Sequence, residues 1–318
     1  MVKENFSLKS SDGAGTDLHC VEWKADEYMA PKGVIFLVHG MIEYIERYEG
    51  FARYLTDRGF VVIGHDHIGH GESVSGDDGS ELGIMHTRTP DRTMCFDMRT
   101  VFHYGRNRYP DIPCFYLGHS MGSFLLREFL CIYPEETKEL NGAMIVGTGT
   151  TPTPAIILAK LVIGAAALFH GWDYKSQRVT DFLFSGDYHR FNMDGSQPKD
   201  SWLTKDIEIV KKYYNDPYDT FLFSLNGYRG LTSAMLYDNS LSNIRRIRKD
   251  LPVLFVSGSD DPVGSMGRGV RKACDRFKRA GLSDVSIRLF PGDRHEVLNE
   301  TDRDKVYDFI YDWIEKHV

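Results

Sequence analysis

The chain has 318 residues, 42% hydrophobic and 26% charged, with a formal net charge of −7 from 38 basic and 45 acidic side chains. This is a soluble globular composition that excludes a disordered chain, and its acidic balance gives no reason to expect a nucleic-acid partner. Five widely spaced cysteines (Cys20, Cys95, Cys114, Cys131, Cys274) form no CxxC pair, which argues against a disulfide framework or a zinc knuckle. The opening MVKENFSLKSSDG holds no apolar stretch of signal-peptide length, so a reducing cytosol is the expected location.

Phe6–Leu8 and Leu18–Trp23, separated by the turn-rich SSDGAGTD, predict an opening hairpin. Gly33–Val38 is a near-continuous apolar run, as expected of a strand buried on both faces of a parallel sheet. A helix is expected over Tyr44–Arg58, with Tyr48, Phe51, Ala52 and Leu55 on one face and Gly59 ending it. Strand Phe60–Ile63, helix Asp91–Tyr109, strand Pro113–Leu117, helix Ser120–Tyr133 and strand Ala143–Val146 follow. After an interruption the rhythm resumes with strand Val253–Val256, helix Val263–Ala280, strand Val285–Phe290 and a terminal helix Asp302–His317.

Such alternation predicts an α/β protein with a mostly parallel, doubly wound sheet, whose sites lie at the carboxyl ends of the strands. The interruption carries aromatic-rich helical segments without clear strands and reads as a helical cap. The expected organisation is core 1–147, cap 148–248 and core 249–318. Within the cap, Ala155–Phe169 is apolar on most of its helical circumference but falls short of the roughly 20 residues that span a bilayer. Two readings stand for it: a lid that receives an acyl chain or rests transiently on a membrane or micelle, and a helix packed on its neighbours. The basic stretch Arg245, Arg246, Arg248 and Lys249 reads as a solvated helix face.

Gly118-His119-Ser120-Met121-Gly122 follows the apolar run CFYL and precedes the helical run SFLLREFL, the strand–turn–helix context of a nucleophile elbow. A serine nucleophile needs a base, itself oriented by a carboxylate, and on such a sheet the chain order is Ser, Asp or Glu, then His. His295 follows strand Val285–Phe290 and stands before the last helix, whereas His170 and His189 lie in the cap and His317 is penultimate. The carboxylate is expected in Gly258-Ser259-Asp260-Asp261-Pro262. Asp261 is the choice, because Pro262 anchors it in the turn and can open the next helix, leaving Asp260 as a turn-capping side chain. Oxyanion donors are expected from the backbone N–H groups of Met41 and Met121, whose side chains are then free to line an acyl pocket.

The segments HGMIEYIERYEGFARYLTDRGF, HDHIGHGES, YLGHSMGS, SGSDDPVG and FPGDRHEVLNE resemble the monoacylglycerol lipase and lysophospholipase branch of the α/β-hydrolases, which overlaps the serine aminopeptidase-like group. The resemblance covers roughly 30–147 and 250–318. It implies the α/β-hydrolase fold, nucleophile Ser120, acid Asp261, base His295, and donors Met41 and Met121. Ile68 departs from it, standing where a basic residue is usual in Asp66–Ser73. That loop is read as structural, its histidines bonding backbone rather than metal, and Glu43 as a brace of the oxyanion loop.

The expected activity is hydrolysis of carboxylic esters of medium or long acyl chains, with glycerol or lysophospholipid as leaving alcohol and no metal or organic cofactor. An aminopeptidase or amidase, or a small-ester carboxylesterase, is the alternative. An aminopeptidase needs an acid to hold the substrate ammonium, and Asp173, Asp181, Asp187 and Glu208 are the cap residues that could supply one. An aspartate-nucleophile hydrolase is disfavoured because the elbow residue is serine. A non-enzymatic receptor is disfavoured by the complete set of triad and oxyanion positions.

Overall fold

The computed structural model describes residues 1–26, 30–74 and 79–318. The expected opening hairpin is present and longer than the apolar runs alone indicate: β1 (Val2–Lys9) pairs antiparallel with β2 (Asp17–Lys24). The remaining strands are β3 (Gly33–Val38), β4 (Phe60–His65), β5 (Cys114–His119), β6 (Gly142–Val146), β7 (Val253–Gly258) and β8 (Val285–Phe290). They form one eight-stranded sheet in the order β1-β2-β4-β3-β5-β6-β7-β8. β2 meets β4 antiparallel, and every pairing from β4 onward is parallel.

Every residue of β3 to β7 is buried, which is why these strands read as unbroken apolar runs rather than alternating ones. Side chains still alternate across the sheet. Phe36, Tyr116 and Phe255 pack on one face with Phe102, Phe129 and Phe277, while Ile35, Leu37 and Phe115 pack on the other with Phe51, Ile310 and Trp313. Each buried aromatic of this kind contributes about 1.5–3 kcal/mol over its exposed state.

The helices are α1 (Glu49–Thr56), α2 (Pro90–Arg108), α3 (Met121–Ile132), α4 (Pro134–Lys138), α5 (Thr153–His170), α6 (Gln177–Leu183), α7 (Ile207–Asn215), α8 (Leu225–Asp238), α9 (Leu241–Ile244), α10 (Arg268–Arg279) and α11 (Arg303–Glu315). Two boundaries correct the sequence reading. The helix expected from Tyr44 opens as a 3-10 turn, Ile45–Tyr48, and becomes α-helical only at Glu49. The helix expected from Val263 starts five residues later, at Arg268, because Ser265, Met266 and Gly267 adopt positive φ of 50°, 55° and 77°. Gly264 and Gly267 lower helix propensity there, and the Met266 N–H folds back onto the Asp261 carbonyl at 2.9 Å. The basic stretch after α9 also lies beyond the helix, and Arg248 and Lys249 use their side chains to cap backbone carbonyls.

Between β6 and β7 the chain is helical, with only isolated bridges at Lys175–Ser224 and Asn192–Ser201. Its last long helix, α8, packs on α2 and α3 of the sheet layer as well as on α5. α5 turns Ile156, Ala159, Ile163 and Ala167 inward, at the i, i+3, i+7 and i+11 spacing of one helical stripe. Its other faces carry Ile157, Leu158, Leu161, Leu168 and Phe169, all exposed. At 18 residues and a mean hydropathy of 1.7 it is long and apolar enough to cross a membrane by composition, yet its inner stripe is packed against protein.

Candidate active site

β5 ends at His119, and α3 begins at Met121, so the whole reversal falls on Ser120, held at φ 52°, ψ −119°. For a non-glycine residue such a backbone costs on the order of 1–3 kcal/mol and persists only where its surroundings enforce it. Those surroundings explain the glycines. A Cβ on Gly118 would run into the Gly122 carbonyl, and one on Gly122 into the carbonyls of Val38 and His39. Ser120 therefore stands on a packed turn at the amino end of a 12-residue helix.

The loops after β7 and β8 bring two further side chains to it. His295 Nε2 lies 2.8 Å from Ser120 Oγ, and His295 Nδ1 lies 3.1 Å from Asp261 Oδ1. With Nδ1–H donated to the carboxylate, Nε2 presents its lone pair to the serine hydroxyl. Asp261 is completely buried and also accepts hydrogen bonds from Ser257 Oγ (2.9 Å) and the Val263 N–H (2.8 Å). Burial alone would raise its pKa, but His295 and these donors hold it below the usual carboxylate value. Asp260 is exposed and accepts from the Ser259 hydroxyl, away from the imidazole.

Two rings pack against that of His295. Trp202 stacks on it, with centroids 5.0 Å apart and planes at 23°, and His119 lies tilted beside it at 4.8 Å and 39°. Trp202 belongs to a segment between α6 and α7 that is knitted to the histidine loop. The Glu296 N–H donates to Leu203 O at 2.7 Å, and the Thr204 hydroxyl to Asn299 O at 3.0 Å.

The loop after β3 supplies Met41. Gly40 is confined here, since a Cβ would lie 2.5 Å from Glu43 Oε1 and 2.8 Å from Ser120 Cβ. Glu43 Oε1 accepts the Gly40 N–H (2.5 Å) and the Tyr48 hydroxyl (2.7 Å), and His119 Nδ1 lies 3.0 Å from it. The backbone N–H groups of Met41 and Met121 donate to no protein acceptor among the described residues, and both residues border the cavity over Ser120. An anion forming beside Ser120 would find two unused donors there.

Arg47 was not legible as a functional residue, and it ties three chain segments together. It meets Glu43 Oε2 at 2.9 Å, Glu296 through two parallel contacts of 2.9 Å, and Asp219 of the 148–248 insertion at 3.3 Å. All four side chains are nearly inaccessible to water. Burial pushes the Asp219 carboxyl up to about 8, against the pull of Arg47 and with Glu43 and Glu296 adding to the rise. Trp202 and Asp219 lie far from the elbow in sequence, and no spacing marks them. Glu296 adjoins the base and Arg47 follows Glu43 by four, which was the available signal.

The Asp66–Ser73 loop is a brace. Asp66 accepts the N–H groups of Ile45 and Glu72, and His39, His65, His67 and His70 cluster beneath it, all buried. His39 Nε2 accepts the His67 N–H at 2.9 Å, and His70 Nδ1 lies 3.1 Å from Ile68 O. Burial drives their pKa values down, to about 3 for His39 and about 4 for His65 and His70, so they are neutral. Among the described residues no group of three or more His, Cys, Asp or Glu side chains is arranged to hold a metal ion. All five cysteines are free and buried.

Above Ser120 lies a cavity of about 560 Å³, within the range of small-molecule sites. Its walls include Phe124 of α3, Ile156 and Ala159 of α5, and Leu231 and Met235 of α8. Of the four acids considered for an ammonium subsite, Asp187 lines the cavity, and Arg268 pairs with it at 3.1 Å.

A family model described as "Serine aminopeptidase, S33" (Hydrolase_4) matches residues 29–302. The chain is 35% identical over 294 residues to a monoglyceride lipase of Rattus norvegicus, covering 90% of this chain and 82% of that one. It is 27% identical over 290 residues to a monoacylglycerol lipase of Mycolicibacterium smegmatis, covering 91% and 90%. Among solved structures it superimposes on a thermostable carboxyl esterase from Bacillus coagulans in complex with glycerol, with TM-score 0.88, 25% identity and full coverage of both chains. A soluble variant of the Saccharomyces cerevisiae monoglyceride lipase, at TM-score 0.74 and 22% identity, shares the α/β-hydrolase fold.

Proposed function

The chain belongs to the serine aminopeptidase S33 (Hydrolase_4) family of α/β-hydrolases, and on that premise we propose that it cleaves esters of medium or long acyl chains, monoacylglycerols first among them, through an acyl-enzyme on Ser120. The general activity, carboxylic ester hydrolysis, follows from its monoglyceride lipase and carboxylesterase relatives. The observation that carries the finer reading is the cavity over Ser120, walled by apolar side chains of α3, α5 and α8.

In this reading His295 takes the Ser120 proton as the hydroxyl attacks the ester carbonyl, and Asp261 orients the imidazole and stabilises its cation. The N–H groups of Met41 and Met121 receive the oxyanion, and His295 then protonates the leaving alcohol. Water, activated by the same imidazole, releases the acid. Residues 148–248 act as the cap that selects the acyl chain. Leu168 and Phe169, 82% and 81% exposed at the end of α5, form with Leu161 an apolar surface suited to transient contact with a membrane or micelle.

The peptidase reading has less support, because the acid lining the cavity from the cap, Asp187, already has Arg268 as its cation. The test is a rate profile over p-nitrophenyl esters from acetyl to palmitoyl, beside monoacylglycerols, a lysophospholipid and a proline anilide. A maximum at medium or long chains with glyceride cleavage supports this function; activity confined to acetate or to the anilide overturns it.

A further inference from the structure

The hydrogen-bonding partners of His119, the residue before the elbow serine, restrict how many protons its ring can carry. Nδ1 lies 3.0 Å from the Glu43 carboxylate oxygen, and Nε2 lies 3.3 Å from the His295 carbonyl oxygen. Both are acceptors. A neutral ring protonated at Nδ1 would aim its Nε2 lone pair at a carbonyl. A neutral ring protonated at Nε2 would need the Tyr48 hydroxyl, 2.8 Å from Nδ1, as donor to Nδ1. That hydroxyl could then no longer donate to Glu43 Oε1, 2.7 Å away, and two contacts of the carboxylate would hold no hydrogen. Protonation of both ring nitrogens gives the Glu43 and His295 oxygens a donor each, with the Nδ1 hydrogen shared between Glu43 Oε1 and the Tyr48 oxygen while the Tyr48 hydroxyl donates to Glu43. The site is buried, where each unsatisfied polar contact costs about 1–3 kcal/mol.

Charge balance points the same way. Around Arg47 stand Glu43 and Glu296 from the loops after β3 and β8, and Asp219 from the cap. With Asp219 protonated, two carboxylates face one guanidinium, and one further cation makes the buried cluster neutral. His119 is the titratable group in contact with Glu43 that can supply it.

We propose that His119 is an imidazolium at neutral pH, and that its charge, 4.8 Å from the His295 ring, sets the lower pH limit at which His295 can act as base. The groups facing His119 are Glu43 and Tyr48 from the loop after β3 and His295 from the loop after β8, with Arg47 and Glu296 one contact further out; Trp202 stacks on His295. His119 is a positioning residue: it holds the base loop through the His295 carbonyl, and its charge together with that of Glu43 tunes the base without touching substrate. Burial opposes its charge, but the hydrogen bond and charge of Glu43 raise its pKa above the ordinary histidine value. The inference rests on the reading of His295 as the base.

Nitrogen-15 NMR of histidine-labelled wild-type protein at about pH 7 should show both ring nitrogens of His119 protonated. In His119→Asn a neutral donor remains for Glu43 while the cation is lost, leaving the Glu43 charge uncompensated near His295. The acid limb of the kcat/KM profile on a soluble ester should then move up by about one pH unit. A single protonated ring nitrogen in the wild type, or an acid limb that stays in place in the variant, overturns the inference. The NMR reading needs no turnover, so the two ideas fail separately. Failure here leaves a neutral His119 with Ser120→Ala inactive, whereas failure of the triad reading leaves Ser120→Ala active.

Discussion

Trp202, from the segment between α6 and α7, lies nearly flat on His295, ring planes 23° apart and centroids at 5.0 Å. The contact joins the segment between α6 and α7, which borders the cavity over Ser120, to the loop that carries the proposed base. In the proposed mechanism an indole face would also stabilise the imidazolium formed during acylation. Trp202→Ala is therefore expected to lower kcat/KM by roughly fivefold, in line with an aromatic pair worth about 1 kcal/mol, while Trp202→Phe retains most of the rate. Steady-state kinetics on one soluble ester, with circular dichroism to verify the fold, check this. Equal rates for wild type and Trp202→Ala would remove Trp202 from the account.

Asp260 and Asp261 are adjacent, yet only Asp261 reaches the imidazole. Asp261→Asn should lose on the order of 10⁴-fold in kcat, by leaving His295 in the wrong tautomer, while Asp260→Asn stays close to wild type. The carboxylate also links to stability. Its folded pKa lies below the unfolded value, so its contribution is present at neutral pH and disappears as pH falls through the folded pKa. Acid unfolding of the two variants against wild type, followed by circular dichroism, separates these effects.

Asp219 carries the opposite sign. Burial raises its pKa from 3.8 to about 8, so between those values the folded protein holds a proton that the unfolded chain has released. Stability attributable to this group falls as pH rises, by up to about 1.4 kcal/mol per pH unit in that window. Asn mimics the neutral acid, so Asp219→Asn should gain on wild type steadily from pH 5 to pH 8 in denaturant melts. A constant difference between the two proteins across that range would refute the assignment.

The exposed end of α5 gives a test that leaves the chemistry untouched. The double change Leu168→Glu, Phe169→Glu should reduce co-sedimentation with lipid vesicles and turnover of micellar monoacylglycerol several-fold, without altering turnover of a soluble short ester. Unchanged vesicle binding would mean that this surface has no lipid-facing role.

Much of the sheet and of the candidate triad was legible in the sequence because each feature is local. Buried strands such as Gly33–Val38 are unbroken apolar runs, and the Ser120 elbow is a strand, a turn and a helix contiguous in sequence, Cys114–Ile132. His295 and Asp261 follow from their places after successive strands. The start of α10 was misread because the hydrophobic period continues through Gly264 and Gly267, while the backbone there turns left-handed. Trp202 and Asp219 could not be read as parts of the site, and Arg47 only through its spacing of four from Glu43. Their roles depend on which segments meet in space: Arg47 on Glu296, 249 positions away, and Trp202 on His295. Hydrophobic periodicity carries no information about either meeting.

In the proposed function an acyl group passes through Ser120. The most direct test is intact-mass and peptide-mapping spectrometry of protein quenched during turnover of a p-nitrophenyl ester. One added acyl mass is expected on the peptide that carries Ser120, absent in Ser120→Ala, whose turnover falls by on the order of 10⁴-fold or more. Continued turnover by a folded Ser120→Ala protein, or an acyl mass carried on another residue, would contradict it.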